Sequence, residues 1–186
     1  MAGTGTQAPE NDRGSAYVVA SASTTLARRR WRLWVTRYVN PLAPGVPAGV
    51  TEEMIRKLVH SFYGRVRLDP LLGPIFNGAI SDWDAHLDKL CSFWSSVTLM
   101  TGRYKGTPMR VHAELPGIEA AHFDQWLDLF RATARDVCPP AAAALFIDRA
   151  SRIAQSLEMG IALHRGQMLG LGDRLTARST VTHKPD

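Results

Sequence analysis

From residue 50 onward, apolar side chains return every three or four positions, and no stretch sustains a two-residue alternation. Ile55, Leu58, Val59, Phe62, Tyr63 and Val66 share one helical face behind Thr51, whose hydroxyl can cap the helix. Asp69-Pro70 ends that helix. Leu71 to Ile80, with Gly73, Pro74 and Gly78, reads as a connector of one turn and a loop. Asp82 is a good N-cap for a second long helix to about Met100. Its inner face holds Trp83, His86, Leu87, Leu90, Trp94 and Val97, flanked by Phe93. A third runs from about Glu119 to Val137 with Phe123, Trp126, Leu127, Phe130 and Val137 inward, and Pro139-Pro140 opens a fourth to about His164 with Leu145, Ile147, Ile153 and Leu157 inward. The pattern predicts an all-α domain over residues 49–165, followed by a flexible, glycine-marked tail over 166–186.

Between the second and third long helices lies the segment GRYKGTPMRVHAELPGI, Gly102 to Ile118. Thr107-Pro108 is a helix start and Pro116 a stop, so the spacing predicts a helix of about two turns carrying His112. A short helix with a proline at each end suits an imidazole that must point one way.

Composition narrows the function only by exclusion. The net charge of +5 is unevenly spread. Residues 1–50 hold six arginines against two acids, whereas residues 51–165 hold 13 basic and 13 acidic side chains. The basic character therefore belongs mainly to the N-terminal extension, 1–48, which reads as disordered and ends in a proline-broken linker. Within it, residues 24–40 interleave five arginines with Trp31, Trp34 and Tyr38, a weak candidate for contact with a membrane surface or nucleic acid. Cys91 and Cys138 form no C-x-x-C. This points to a reducing compartment and away from a disulfide framework, a zinc site or covalent haem attachment. No apolar run reaches membrane-spanning length.

Two histidines, His86 and His112, together with Tyr63 and Trp126, aim polar tips inward from four helices. Each alone is an ordinary satisfied core residue. Together, in an aromatic-rich interior, they suit a flat apolar cofactor with a metal centre. In their order, the segments FYGRVRLDPLLGPIF (Phe62–Phe76), DWDAHLDKLCSFWSSV (Asp82–Val97), GRYKGTPMRVHAELP (Gly102–Pro116) and HFDQWLDLF (His122–Phe130) resemble the truncated haemoglobins of the third group, over Val50 to about His164. The resemblance implies a truncated globin, a two-over-two helical sandwich holding haem b. It implies His112 as the proximal iron ligand, and Tyr63, His86 and Trp126 on the distal side. Phe62, Ile75, Phe76, Leu90, Phe93, Trp94 and Ile118 would line or support the cavity. It further implies O₂, NO and CO as ligands, a reductase partner, a monomer or weak dimer, and a cytoplasmic location. NO or peroxide redox chemistry is the expected use. A gas-sensing or O₂-binding module without turnover is the alternative, and a haem-free helical bundle acting through its basic arm is the third reading.

Overall fold

The structure, a computed structural model, describes residues 40–176 apart from Pro116 and Leu171. The basic arm and most of the N-terminal extension, residues 1–39, lie outside the described residues, as do residues 177–186. Among the described residues six helices follow one another: α1 (Glu52–Val66), α2 (Gly73–Ala79), α3 (Trp83–Leu99), α4 (Pro108–Ala113), α5 (Ala120–Val137) and α6 (Pro140–His164). Among the described residues there is no strand. α1 packs on α3 and on α5, and α5 packs on α6, so one helix pair lies over the other as in a two-over-two sandwich, with α4 set against α6.

The helix starts follow local chemistry. Thr51 Oγ1 accepts from the Met54 N–H at 3.1 Å, and Asp82 Oδ1 accepts from the Ala85 N–H at 3.0 Å. α5 begins with a capping box between Glu119 and His122. All six apolar positions expected on α1 are buried. At the centre of the core Phe130 is stacked between Trp94 and Trp126, with centroids 5.1 and 5.2 Å away. Phe62 meets Phe130 edge-on at 5.0 Å, an arrangement that aromatic quadrupoles favour.

Three expectations change. Leu71 to Ile80 is not a turn and a loop, because Gly73–Ala79 is helical. Pro74 falls in its first turn, where a missing N–H costs nothing. Asp69 Oδ1 accepts the Leu71 and Leu72 N–H groups just ahead of the helix. Burial works against the Asp69 carboxylate, but these bonds and one from Gln125 outweigh it and hold its pKa below the ordinary value. On α6 the inner face is Ala142, Ala143, Phe146, Ala150, Ala154, Ile161 and Ala162, while Leu145, Ile147, Ile153 and Leu157 are only half-buried. Alanines let α6 approach its neighbours closely, and close approach outweighs the size of the flanking side chains.

The third change concerns the segment before α1. Residues 40–49, expected as linker, form turns closed onto the core: Ala43 is fully buried, and the Gly45 N–H donates to the Thr98 carbonyl at 2.8 Å. A Cβ at Gly45 would lie 2.7 Å from that carbonyl oxygen and 3.1 Å from Leu99 and Val50. Gly45→Ala should therefore cost roughly 1–3 kcal/mol, as forced overpacking does. A lowered urea midpoint with an unchanged slope would show it, and an unchanged midpoint would refute the tight approach.

Candidate functional site

α4 is shorter than its flanking prolines imply. It spans six residues, leaves the helix at Glu114 before Pro116 is reached, and buries none of them. Thr107 occupies the N-cap position, but its hydroxyl caps nothing. One turn after Pro108 comes His112, whose Nδ1 lies 2.8 Å from the Pro108 carbonyl oxygen. A carbonyl can only accept, so Nδ1 carries the ring proton and Nε2 carries a free lone pair. The partner is supplied by the helix itself, at the first-turn residue four positions back.

The chain on either side of α4 is tied down. Upstream, Arg103 pairs with Glu52 and donates to Ser95 Oγ at 2.7 Å, while the Tyr104 N–H donates to Ser96 Oγ at 2.9 Å. Met109 packs into the notch at Gly160 on α6, where a Cβ would collide with its sulfur. Downstream, Arg165 donates to the Ile118 and Leu115 carbonyls at 2.7 and 3.2 Å.

Separately, α1, α3 and α5 bring Tyr63, His86 and Trp126 together. The Tyr63 and His86 rings meet edge-on at 6.0 Å. Phe62 stands edge-on to both Tyr63, at 4.8 Å, and Trp126, at 5.1 Å. Burial pushes the Tyr63 phenol well above its ordinary pKa, with the Trp126 indole N–H acting the other way. Tyr63 is thus a proton-bearing hydroxyl in a dry setting. His86 is half-buried, and burial, then the charges of Lys89 and His112, hold its imidazole below the ordinary value.

The donor set discriminates between kinds of metal site. Among the described residues no three His, Cys, Asp or Glu side chains cluster as ion ligands. One imidazole lone pair beside aromatic and aliphatic side chains does not hold a free ion. It fits a metal that brings its other ligands in a flat apolar ring.

Residues 48–156 match the bacterial-like globin family. The chain is 35% identical over 113 residues to the group 3 truncated haemoglobin ctb of Campylobacter jejuni, across 59% of this chain and 89% of that one. This chain belongs to the group III truncated haemoglobins. The crystal structure of the group III truncated haemoglobin from Campylobacter jejuni superimposes with a TM-score of 0.56 at 36% identity, covering 58% of this chain and 88% of that one. As a globin this chain is a haem protein that binds gas ligands.

Within this truncated globin the expected cavity residues divide into three groups. Ile75, Phe76, Leu90 and Phe93 are half-exposed. Phe62 and Trp94 are 1% and 2% exposed and serve as core packing. Ile118 joins a separate cluster with Phe123, Ala154 and Ile161, against which Ile75 and Ala113 pack. His86 sits at a rim instead of deep on an apolar face, bordering a depression of about 270 Å³ with Ile80, Ala85 and Lys89. A roomier groove of about 650 Å³, along Cys138, Ala143 and Ile147, contains none of these residues.

Trp83 was missing from the expected site, although its place on the α3 face is plain from periodicity. It stands edge-on to His86 at 5.9 Å and 6.2 Å from Tyr63. The Arg67 guanidinium lies over its ring at 4.7 Å. The spacing of Trp83 and His86, one helical turn, was the available signal. The other missed group, the Pro108 carbonyl, carries no side-chain signature at all.

Proposed function

We propose that His112 is the proximal ligand of a haem b iron, that Tyr63, His86 and Trp126 face the gas ligand, and that the protein carries out NO or peroxide redox chemistry fed by a separate reductase. The observation that carries this reading is the pinned imidazole: with Nδ1 committed to the Pro108 carbonyl, Nε2 is left as an oriented lone pair. When bound, haem supplies an iron that takes up O₂, NO or CO and exchanges electrons. The protein's own part is orientation and hydrogen bonding. The Tyr63 hydroxyl keeps its proton because burial raises its pKa, so it donates. The Trp126 indole N–H can only donate. Two donors in a dry pocket hold a polar diatomic molecule far better than an apolar one. Slow release favours reaction with a second molecule over delivery of the first. The free thiols of Cys91 and Cys138 suit a reducing, cytoplasmic setting.

Mixing the oxygenated protein with NO tests the chemistry. Rapid conversion to nitrate is expected, and NO left unoxidised would reduce the protein to a gas-binding module. His86, at the rim, should act on access. His86→Leu should change the CO association rate after flash photolysis several-fold while moving O₂ release little. Accelerated O₂ release with unchanged association would make His86 a stabilising donor instead.

A further inference from the structure

α4 buries none of its six residues, so beyond the seating of Met109 at Gly160 the imidazole it carries is placed by whatever fixes the ends of the helix. The upstream end is held from within the family-matched region, by Glu52, Ser95 and Ser96. The downstream end is held from outside it. The family match stops at residue 156, and the hydrogen-bonding groups that secure the connection from α4 to α5 from the C-terminal side, on Arg165 and Leu175, lie beyond that point.

Those groups form a connected set. Arg165, just past the end of α6, donates to the Leu115 and Ile118 carbonyls. The chain then returns, and the Leu175 carbonyl accepts from the Ala120 N–H at 2.9 Å, which supplies one of the partners a helix lacks in its first turn. The Leu175 N–H donates to Glu158 Oε1 at 2.8 Å, and Arg174 Nε donates to the same oxygen at 2.8 Å. The Arg174 guanidinium also reaches Asp124 at 2.8 Å. A buried carboxylate is expensive unless its oxygens are satisfied. Glu158, 8% exposed, receives both of these bonds from the returning tail. The Leu175 side chain, 2% exposed, completes the cluster of Ile118, Phe123 and Ile161, and Ala113 and Leu115 pack against that cluster. Ala113 is the neighbour of His112 in α4. Residues 166–176 are thus no frayed tail where they are described. They close over the connection that follows the His112 helix.

We infer that Arg165, Arg174 and Leu175 form a C-terminal clasp that positions His112 toward the haem iron. This rests on His112 being the proximal ligand. The clasp residues touch neither haem nor gas. They act through the Leu115–Ala120 connection, as outer partners act on a metal ligand.

The experiment uses the full chain loaded with haem, with two readouts: the iron–histidine stretching band of the reduced protein by resonance Raman, and the rate of haem transfer to excess apomyoglobin. Leu175→Ala and Arg174→Ala should each shift or broaden the band and speed haem transfer roughly tenfold, the lower end of what outer partners of a metal ligand contribute. Arg174→Lys should recover part of both effects. Arg131→Ala breaks a comparable ion pair on α5 and should leave both readouts at wild type. Should Leu175→Ala lose helix content, Arg174→Ala, which truncates a half-exposed side chain, carries the test. A wild-type band and transfer rate in Arg174→Ala and Leu175→Ala, with or without a lowered melting temperature, would overturn the clasp. An iron–histidine band that survives in His112→Ala would overturn the ligand assignment itself, and the clasp's role with it.

Discussion

His112→Ala should keep its helices and lose its haem. The two halves of this result have separate causes. α4 buries no residue and the imidazole is half-exposed, so truncating it removes little packing and the sandwich of α1, α3, α5 and α6 should stand. The Nε2 lone pair, in contrast, is the one assigned to the iron, and among the described residues no group of three His, Cys, Asp or Glu side chains could hold a metal in its place. Losing only an outer partner of a ligand costs roughly 10- to 100-fold in metal affinity, and losing the ligand itself should cost more. Haem per chain by pyridine haemochrome, alongside far-ultraviolet circular dichroism, gives both quantities. Free imidazole should restore part of the binding by filling the space left behind. Retention of haem with unchanged ligand spectra by His112→Ala, combined with its loss from His86→Ala, would reverse the two histidines' roles.

On the other side, Tyr63→Phe and Trp126→Phe should each accelerate O₂ release. Each change deletes one donor and keeps a ring in place, so the stacked Trp126–Phe130 pair and the edge contact of Tyr63 with Phe62 are largely preserved. A hydrogen bond to a partly charged acceptor in a dry site contributes roughly 1.5–3 kcal/mol. That corresponds to an acceleration of about 10- to 100-fold per donor. CO is nearly non-polar as a ligand, and its release should change far less. Both donors serve one acceptor, so the double variant should fall short of the product of the single effects. Stopped-flow displacement of O₂ by CO measures all of this. Unchanged O₂ release in both variants would remove the main support for redox use over simple gas binding.

Much of this architecture was legible because periodicity and caps reported it directly. The α1 face from Ile55 to Val66, the Asp82 and Thr51 caps, and the Pro139-Pro140 start of α6 are each local, and local signals survive folding. The convergence of Tyr63, His86 and Trp126 followed from the same faces. What escaped was set by tertiary contact. Gly73, Pro74 and Gly78 look like breakers, yet they make α2 because Asp69 caps its approach. The inner face of α6 is built from alanines that a search for large apolar residues passes over. Leu175 looked like part of a loose end because its burial depends on Glu158, 17 positions earlier in the chain. The His112 partner is a backbone carbonyl, which no residue type announces.

The shallow seating of α4 bears on how the protein is assembled. Its core helices bury their own faces against one another, and α4 adds no buried residue to that core. The segment from Pro108 to Ala113 can therefore open at a small fraction of the free energy that separates the whole domain from its unfolded state. Folding and cofactor acquisition become separable steps. The four long helices among the described residues can form first, and the His112 segment can settle as haem is taken up.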